Sequence, residues 1–458
     1  MAPATRDQVD AYRFGLRRLE SALVLGDPVP LHEQIRGQRR AVAAGALLGA
    51  LGVAMALAAA VVAPRPDWRG QDLVVGRPSG ALYAVAHDPD RLVPVANAVA
   101  GRLVLGALRA GGGAAAAPVL VDDDVLAGAP RTATAAVPGA PAADPARTVP
   151  PRWAVCDESG FGLRGTTVVA GAAPGPPASA ADGVLLAGPG SATWLVTGGR
   201  RHRLDLRDAA VRAAIGLGDR VPRPASPGLV SALPEGPPLV TPAVPDAGSP
   251  APPGLPGRVG DVVVSRPAGS APRRYLVLAG GLQEVTPLAA DVLAAGSGRA
   301  VTEIGPGVVA GVAAVQVLDL AGWPQAAPEL REPGEAPAVC WTWSGDGGAD
   351  PSGGLYLGRM PPLGTPVGLA RADGPGEALD TVVVGPGGAV RTTAPAGVGT
   401  LWVVSADGVA HAVPDGASAA ALGITDAARA PEAALRLLPR GPPLDVTSAG
   451  RAVGVLFG

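Results

Sequence analysis

Apolar and polar positions follow three different periods along this chain. Residues 41–63 form an unbroken run of 23 apolar or small residues without a charge. A helix rises about 1.5 Å per residue, so the run covers the roughly 30 Å hydrocarbon core of a bilayer. It predicts one transmembrane helix between a short head and a long tail. A cleaved signal peptide has a shorter apolar core, roughly 7–15 residues, and here 40 residues precede the run. A buried core helix is the other reading, because Ala and Gly make the run only mildly hydrophobic. Gly45 and Gly49 have the small-xxx-small spacing that lets helices approach closely. In so Ala- and Gly-rich a chain, composition alone also produces that spacing.

The head has a helical period. Thr5 and Gln8 make a capping box, and Val9, Tyr12, Leu16, Leu19 and Leu23 follow at steps of 3, 4, 3 and 4. This predicts an amphipathic helix ending near Gly26-Asp27-Pro28, with Arg13, Arg17 and Arg18 away from the apolar stripe. Such a helix lies on an anionic inner leaflet or docks to a partner; the blander reading is a stub that orients the anchor. Seven arginines lie in the head, with Arg36, Arg39 and Arg40 next to the span. Arg65, Arg69 and Arg77 beyond it are more spread and mixed with Asp67 and Asp72. The positive-inside rule therefore puts the N-terminus in the cytoplasm.

The tail alternates with the period of strands and does so in a recurring pattern. An aromatic, any residue and a valine precede a turn, a second short strand and a helix-like run. The pattern occurs at Tyr83-Ala84-Val85, Trp194-Leu195-Val196, Tyr275-Leu276-Val277 and Trp402-Val403-Val404. Gly198-Gly199, Gly280-Gly281 and Asp407-Gly408 are hairpin signals. Pro287 and Pro414 suit the first turn of the following helix, and Gly216, Gly296 and Gly423 its end. Val74-Val75-Gly76-Arg77-Pro78 matches Val263-Val264-Ser265-Arg266-Pro267. Leu233-Pro234-Glu235-Gly236-Pro237-Pro238-Leu239 matches Leu438-Pro439-Arg440-Gly441-Pro442-Pro443-Leu444. The tail therefore reads as two halves, each with two small α+β units.

The two cysteines obey the same order, in Ala154-Val155-Cys156 and Ala338-Val339-Cys340. Equivalent positions of two halves meet across a two-fold axis. This predicts a Cys156–Cys340 disulfide; two buried free thiols are the alternative. A disulfide needs an oxidising compartment, which agrees with a tail outside the cytoplasm. Residues 111–150 and 171–181 read as loops, and Asp122-Asp123-Asp124 as a solvated loop face rather than a cation site.

Composition removes several functions. A net charge of −2 with 17% charged residues does not make a nucleic-acid binder. The 66 glycines and 51 prolines are about a quarter of the chain, yet 48% hydrophobic residues argue against general disorder. All 37 basic residues are arginine, so a P-loop with its lysine is absent. No Gly-x-Ser-x-Gly elbow occurs, and His32-Glu33 lacks a second histidine at position 36. No cofactor, metal set or catalytic residue is identified.

Several stretches together resemble one family. The head has Thr5, Gln8-Val9, Tyr12-Arg13-Phe14, Arg17-Arg18, Glu20, Ala22-Leu23 and Asp27, then Arg36 and Gln38. The tail adds Gly80-Ala81-Leu82-Tyr83, Pro94-Val95-Ala96-Asn97, Trp153-Ala154-Val155-Cys156-Asp157, Cys340-Trp341 and the two Leu-Pro-x-Gly-Pro-Pro-Leu stretches. These resemble EccB, the membrane subunit of ESX (type VII) secretion systems. Residues 28–31, 111–150, 345–395 and 450–458 carry little of the likeness.

The resemblance implies a single-pass inner-membrane protein whose extracytoplasmic α+β domain holds four repeats around a disulfide-bridged centre. It implies multimeric self-association and assembly with an EccC-like motor ATPase, EccD-like and EccE-like subunits and a mycosin-like protease. The expected layout has a cytoplasmic helix in 1–40, the span in 41–63 and repeats in 70–110, 183–245, 258–303 and 395–448. Residues 111–182 and 304–394 would form the central region, and 449–458 a tail. The expected function is a structural subunit of a secretion channel. One rival is a nucleotide hydrolase, since family members are sometimes labelled ATPases. The other is a membrane-anchored cell-wall-binding module, which would need an exposed aromatic platform where Trp194 and Trp402 are expected to be core.

Overall fold

The computed structural model describes residues 5–25, 32–62, 66–109, 116–142, 144–159, 163–345, 353–394 and 397–457. Two compact units divide at Pro66 and Asp67. The first holds the helix Arg6–Leu25 and the helix His32–Val62. Thr5 N–H donates to Gln8 Oε1 at 3.1 Å, the expected return bond of the capping box. Within the second helix, Gln38–Ala59 is long and apolar enough to cross a membrane. Residue 63, at the end of the expected span, lies outside the described residues.

The second unit is α+β. Four of its sheets share one strand order, third–second–first–fourth, with the fourth strand parallel to the first. The first sheet comprises Leu73–Arg77, Leu82–Ala86, Arg91–Val95 and Val119–Asp122. The second comprises Asp182–Ala187, Thr193–Thr197, Arg200–Leu204 and Arg223–Pro224. The third has Val262–Ser265, Arg273–Leu278, Gly281–Val285 and Thr302–Ile304. The fourth has Gly388–Ala394, Gly397–Val404, Ala410–Val413 and Ala428–Ala430. Each aromatic of the sequence pattern lies on a second strand. Tyr83, Trp194 and Tyr275 are buried and Trp402 is half-buried.

A helix joins the third strand to the fourth in every case, started by a side chain that accepts a free N–H. Asn97, Asp208, Thr286 and Asp415 are these caps. Pro287 opens its helix as expected, but Pro414 precedes the cap. Gly216 and Gly423 take positive φ at helix ends. Gly296 lies inside its helix, which instead ends at Gly298 with φ 67°. The first sheet runs past residue 110, because Val119–Asp122 returns to pair with Leu73–Arg77. Asp122-Asp123-Asp124 is accordingly a strand end and helix start rather than a loop. Asp122 pairs with Arg77 at 2.8 Å, and Asp123 accepts from Ser79 N–H and Oγ.

Helices pack the sheets in pairs. Ala98–Leu108 of the first sheet lies against Gly416–Leu422 of the fourth and against the last helix, Val446–Phe457. Residues 449–457 therefore continue a packed helix. Ala209–Ala214 of the second sheet lies against Pro287–Ser297 of the third. A fifth, six-stranded sheet stands between them, in the order Gly354–Gly358, Ala338–Ser344, Arg152–Ser159, Leu163–Ala170, Thr381–Val384 and Val367–Gly368. Trp153, Trp341 and Trp343 fill one of its faces with Leu229 and Leu435 from neighbouring helices. Full burial of such side chains stabilises by about 1.5–3 kcal/mol each.

Candidate membrane and assembly elements

The disulfide lies at the middle of the fifth sheet. Arg152–Ser159 and Ala338–Ser344 run antiparallel with Cys156 directly opposite Cys340. Their Cα atoms are 4.0 Å apart, both residues are fully buried, and the bond closes a separation of 184 residues. Loop entropy alone gives about 5 kcal/mol for so long a closure.

The next residue, Asp157, was not singled out as a site by the sequence. Its carboxylate accepts from Ser226 N–H at 2.7 Å, Ser226 Oγ at 2.8 Å and Thr166 Oγ1 at 2.9 Å. Ser226 caps the helix Pro227–Ala232, so the carboxylate ties that helix to the bridged strand. Burial pushes the Asp157 carboxyl up from 3.8 to about 6, against the hydrogen bonds that favour its charged form. Asp380, also buried, accepts from Thr166 N–H at 2.7 Å and from the N–H groups of Asp373 and Gly374.

Two linkers cross between sheets reciprocally. Glu329–Leu330, which follows the third sheet, pairs with Asp182–Gly183 of the second. Thr148, which follows the first sheet, bridges to Ala389 of the fourth. The Arg331 guanidinium grips Asp182 Oδ1 at 2.8 and 2.9 Å. Buried Arg223 donates to the carbonyls of Ala336 and Arg331, and burial pushes its guanidinium down from the usual arginine value.

Each of the four similar sheets also has a strap along its third-strand edge. Arg131, Glu235, Ala314 and Arg440 lie opposite Leu92, Arg201, Leu282 and Ala410. A covered edge no longer offers free N–H and C=O groups to another strand. The next residue on the third strand holds the strap in three sheets. His202 Nδ1 contacts Pro237 O at 2.9 Å, His411 Nδ1 contacts Pro442 O at 3.0 Å, and Gln283 Nε2 donates to Leu318 O at 2.7 Å. The sequence left the histidines scattered. Their shared register, opposite the residue that follows the pattern's tryptophan (Leu195 and Val403), was the signal that would have joined them. Gly236 and Gly441 explain the Pro-x-Gly-Pro-Pro stretches, since a Cβ at either would collide with the imidazole.

In the first unit, Val9, Tyr12, Leu16, Leu19 and Leu23 are exposed on one stripe of the helix Arg6–Leu25, with Arg13, Arg17 and Arg18 on the same helix. Gly45 and Gly49 face open space, with nothing within 4 Å of an added Cβ. The disulfide is thus the expected site that the structure forms directly. The head and span residues are presented rather than brought together. Among the described residues no group of three His, Cys, Asp or Glu side chains is placed to hold a metal.

A chain of this build, with one helix among the described residues long and apolar enough to cross a membrane and a multi-sheet domain stapled through its centre, fits the membrane subunits of type VII secretion systems. The family model for the type VII secretion system ESX-1 transport TM domain B matches residues 1–456, and the chain belongs to that family, EccB. The ESX-5 secretion system ATPase EccB5 of Mycobacterium tuberculosis strain H37Rv is 34% identical, covering 97% of this chain and 93% of the relative. The ESX-1 secretion system ATPase EccB1 of Mycolicibacterium smegmatis strain MKD8 is 30% identical, covering 97% and 94%. The solved intact ESX-5 inner membrane complex contains a chain with TM-score 0.70 and 31% identity, covering 98% of this chain and 95% of that one. The EccB3 dimer from the ESX-3 core complex has TM-score 0.68 and 29% identity, covering 82% and 99%. The protein is accordingly a structural subunit of type VII secretion.

Proposed function

We propose that this chain anchors and shapes the extracytoplasmic side of an ESX-type inner-membrane complex. Its head lies in the cytoplasm, residues 41–63 cross the membrane, and the stapled domain stands outside. The buried Cys156–Cys340 bridge behind a single apolar span carries the reading, because such a bond persists in an oxidising compartment. Copies self-associate, and an EccC-like motor ATPase, EccD-like and EccE-like subunits and a mycosin-like protease surround them. Tyr12, Arg13, Arg17 and Arg18 contact lipid or cytoplasmic machinery, and Gly45 and Gly49 form a helix contact within the membrane.

The four similar sheets are, in this reading, repeats in two halves. Shared strand order supports it, as do the pairing of Cys156 with its own counterpart and the helix pairs first–fourth and second–third. Purification of the tagged full chain in mild detergent tests the assembly. EccC-like and EccD-like proteins are expected to co-purify, and recovery of the chain without either would overturn the proposal. Peptide mapping without reductant tests the topology, with free Cys156 and Cys340 as the adverse result.

A second reading follows from the word ATPase in the relatives' names. Without a lysine for the phosphates, the energy of transport belongs to the motor subunit, and the purified chain is expected to release no phosphate from ATP above a blank. Turnover abolished by substituting one buried acid, with assembly intact, would instead make it a hydrolase.

A further inference from the structure

The second sheet carries a cleft of about 520 Å³ where its second strand begins and its third strand ends. Ser191, Thr193, Arg203 and Arg207 line it together with the exposed Leu206 and Val240. Among the described residues neither guanidinium has a carboxylate partner. Asp205 lies in the same cleft, but its Oδ1 accepts the Arg207 backbone N–H at 2.9 Å. Arg299, which lines a cleft beside the third sheet, pairs with Asp261 instead. In the fourth sheet the corresponding cleft, of about 400 Å³ between the start of the second strand and the end of the third, contains Arg391. There the guanidinium donates to Gly399 O of the neighbouring strand at 3.1 Å. The second-sheet cleft thus holds two arginines against one acid, whereas the fourth-sheet cleft holds one of each, Arg391 and Asp415.

The geometry points to a docking site for an extended acidic segment of a partner protein, with carboxylates on Arg203 and Arg207 and intervening apolar side chains on Leu206 and Val240. Alternating acidic and apolar residues of an extended chain point to opposite sides, which suits a cleft lined by both guanidinium groups and exposed apolar side chains. A guanidinium fork binds a carboxylate with two parallel hydrogen bonds, so each arginine reads one acidic side chain. A small inorganic anion would leave the apolar side chains unused. Such a segment would bind regardless of which membrane subunits surround the chain, so binding can be measured with the isolated protein.

The test uses the full chain in nonionic detergent and fluorescence anisotropy. The probes are a fluorescein-labelled hexapeptide of alternating Glu and Leu and its Gln/Leu counterpart. The Glu peptide is expected to bind at least tenfold tighter than the Gln peptide. The double variant Arg203→Gln/Arg207→Gln is expected to lose at least tenfold for the Glu peptide. Arg200→Gln, on the same strand but outside the cleft, is expected to leave that affinity unchanged. Equal affinity for the two peptides would overturn the proposal, as would an equal loss in Arg200→Gln, which would mean diffuse attraction. Binding of phosphatidylglycerol vesicles that the double variant abolishes, with no peptide binding, would give the cleft to lipid and overturn it too.

Discussion

In the second sheet Arg201 on the third strand lies over the Trp194 ring at 4.7 Å, and Glu235 on the strap pairs with it at 2.8 Å. In the fourth sheet Ala410 occupies the strand position, and Arg440 reaches from the strap to lie over Trp402 at 4.2 Å. The first sheet follows the fourth, with strap Arg131 over Tyr83 at 5.2 Å. The source of the cation has changed, but the cation over the ring has been kept. The strap backbone, not the charge, is the fixed part. In the second and fourth sheets it is set by the third-strand imidazole and the strap glycine packed on it, while the charge is supplied from whichever side has room.

A second difference separates the two sheets. The helix Pro227–Ala232 of the second is capped by Ser226 and tied to Asp157, whereas Glu432–Leu435 of the fourth starts at Pro431 without a side-chain cap. Asp157 offers the largest effect. Its folded value of about 6 lies above the ordinary 3.8, so the folded state binds the proton more tightly. Stability from this group is full below about pH 4 and is lost as pH rises through 6, by about 3 kcal/mol in all. Thermal melting of Asp157→Asn across this range is expected to lose that decline; an unchanged profile would separate the carboxyl from the effect.

The strap glycines come next. Gly236→Ala and Gly441→Ala each push a methyl group into an imidazole, and each is expected to cost about 1–3 kcal/mol and several degrees of melting temperature. Similar losses would show that the two straps are built alike, and a loss in only one would break the likeness. His202 gives a smaller, pH-dependent term. Burial, with the Arg200 charge, holds its imidazole below the ordinary 6.5, so the folded state prefers it neutral. Its contribution is present above 6.5 and is lost as pH falls from there through the lower folded value. Melts of His202→Gln at pH 5.5 and 7.5 are expected to differ less than those of the parent protein, since glutamine serves the third sheet at this position.

The smallest effect is the charge exchange. Arg201→Ala is expected to cost about 1 kcal/mol, and adding Glu235→Arg to recover most of it, because the second sheet then copies the fourth. Losses that merely add in the double variant would mean that the guanidinium cannot cross from strand to strap.

Much of this architecture was legible in the chain. The aromatic-x-valine pattern located all four second strands, because hairpin alternation and Gly-Gly turns are local signals. The cysteines announced their pairing because each sits in the same tripeptide. Two kinds of feature stayed hidden. Val119–Asp122, Glu329–Leu330 and Thr148 join sheets whose other strands are distant in sequence, and no local period marks a strand of one to four residues. Asp157, Ser226 and Thr166 form a network across three segments, and a buried polar cluster leaves no spacing to read.

The reciprocal linkers impose an order on biogenesis. As the chain emerges N-terminus first, the second sheet has all its own strands by residue 224, yet its added edge arrives only with Glu329–Leu330, about a hundred residues later. The bridged strand Arg152–Ser159 likewise waits for Ala338–Ser344. Until then both expose unpaired backbone edges, which invite wrong pairings between neighbouring chains. Correct maturation therefore depends on the second half arriving before another molecule does, so the speed of chain emergence and the local chain density govern the yield of folded subunits.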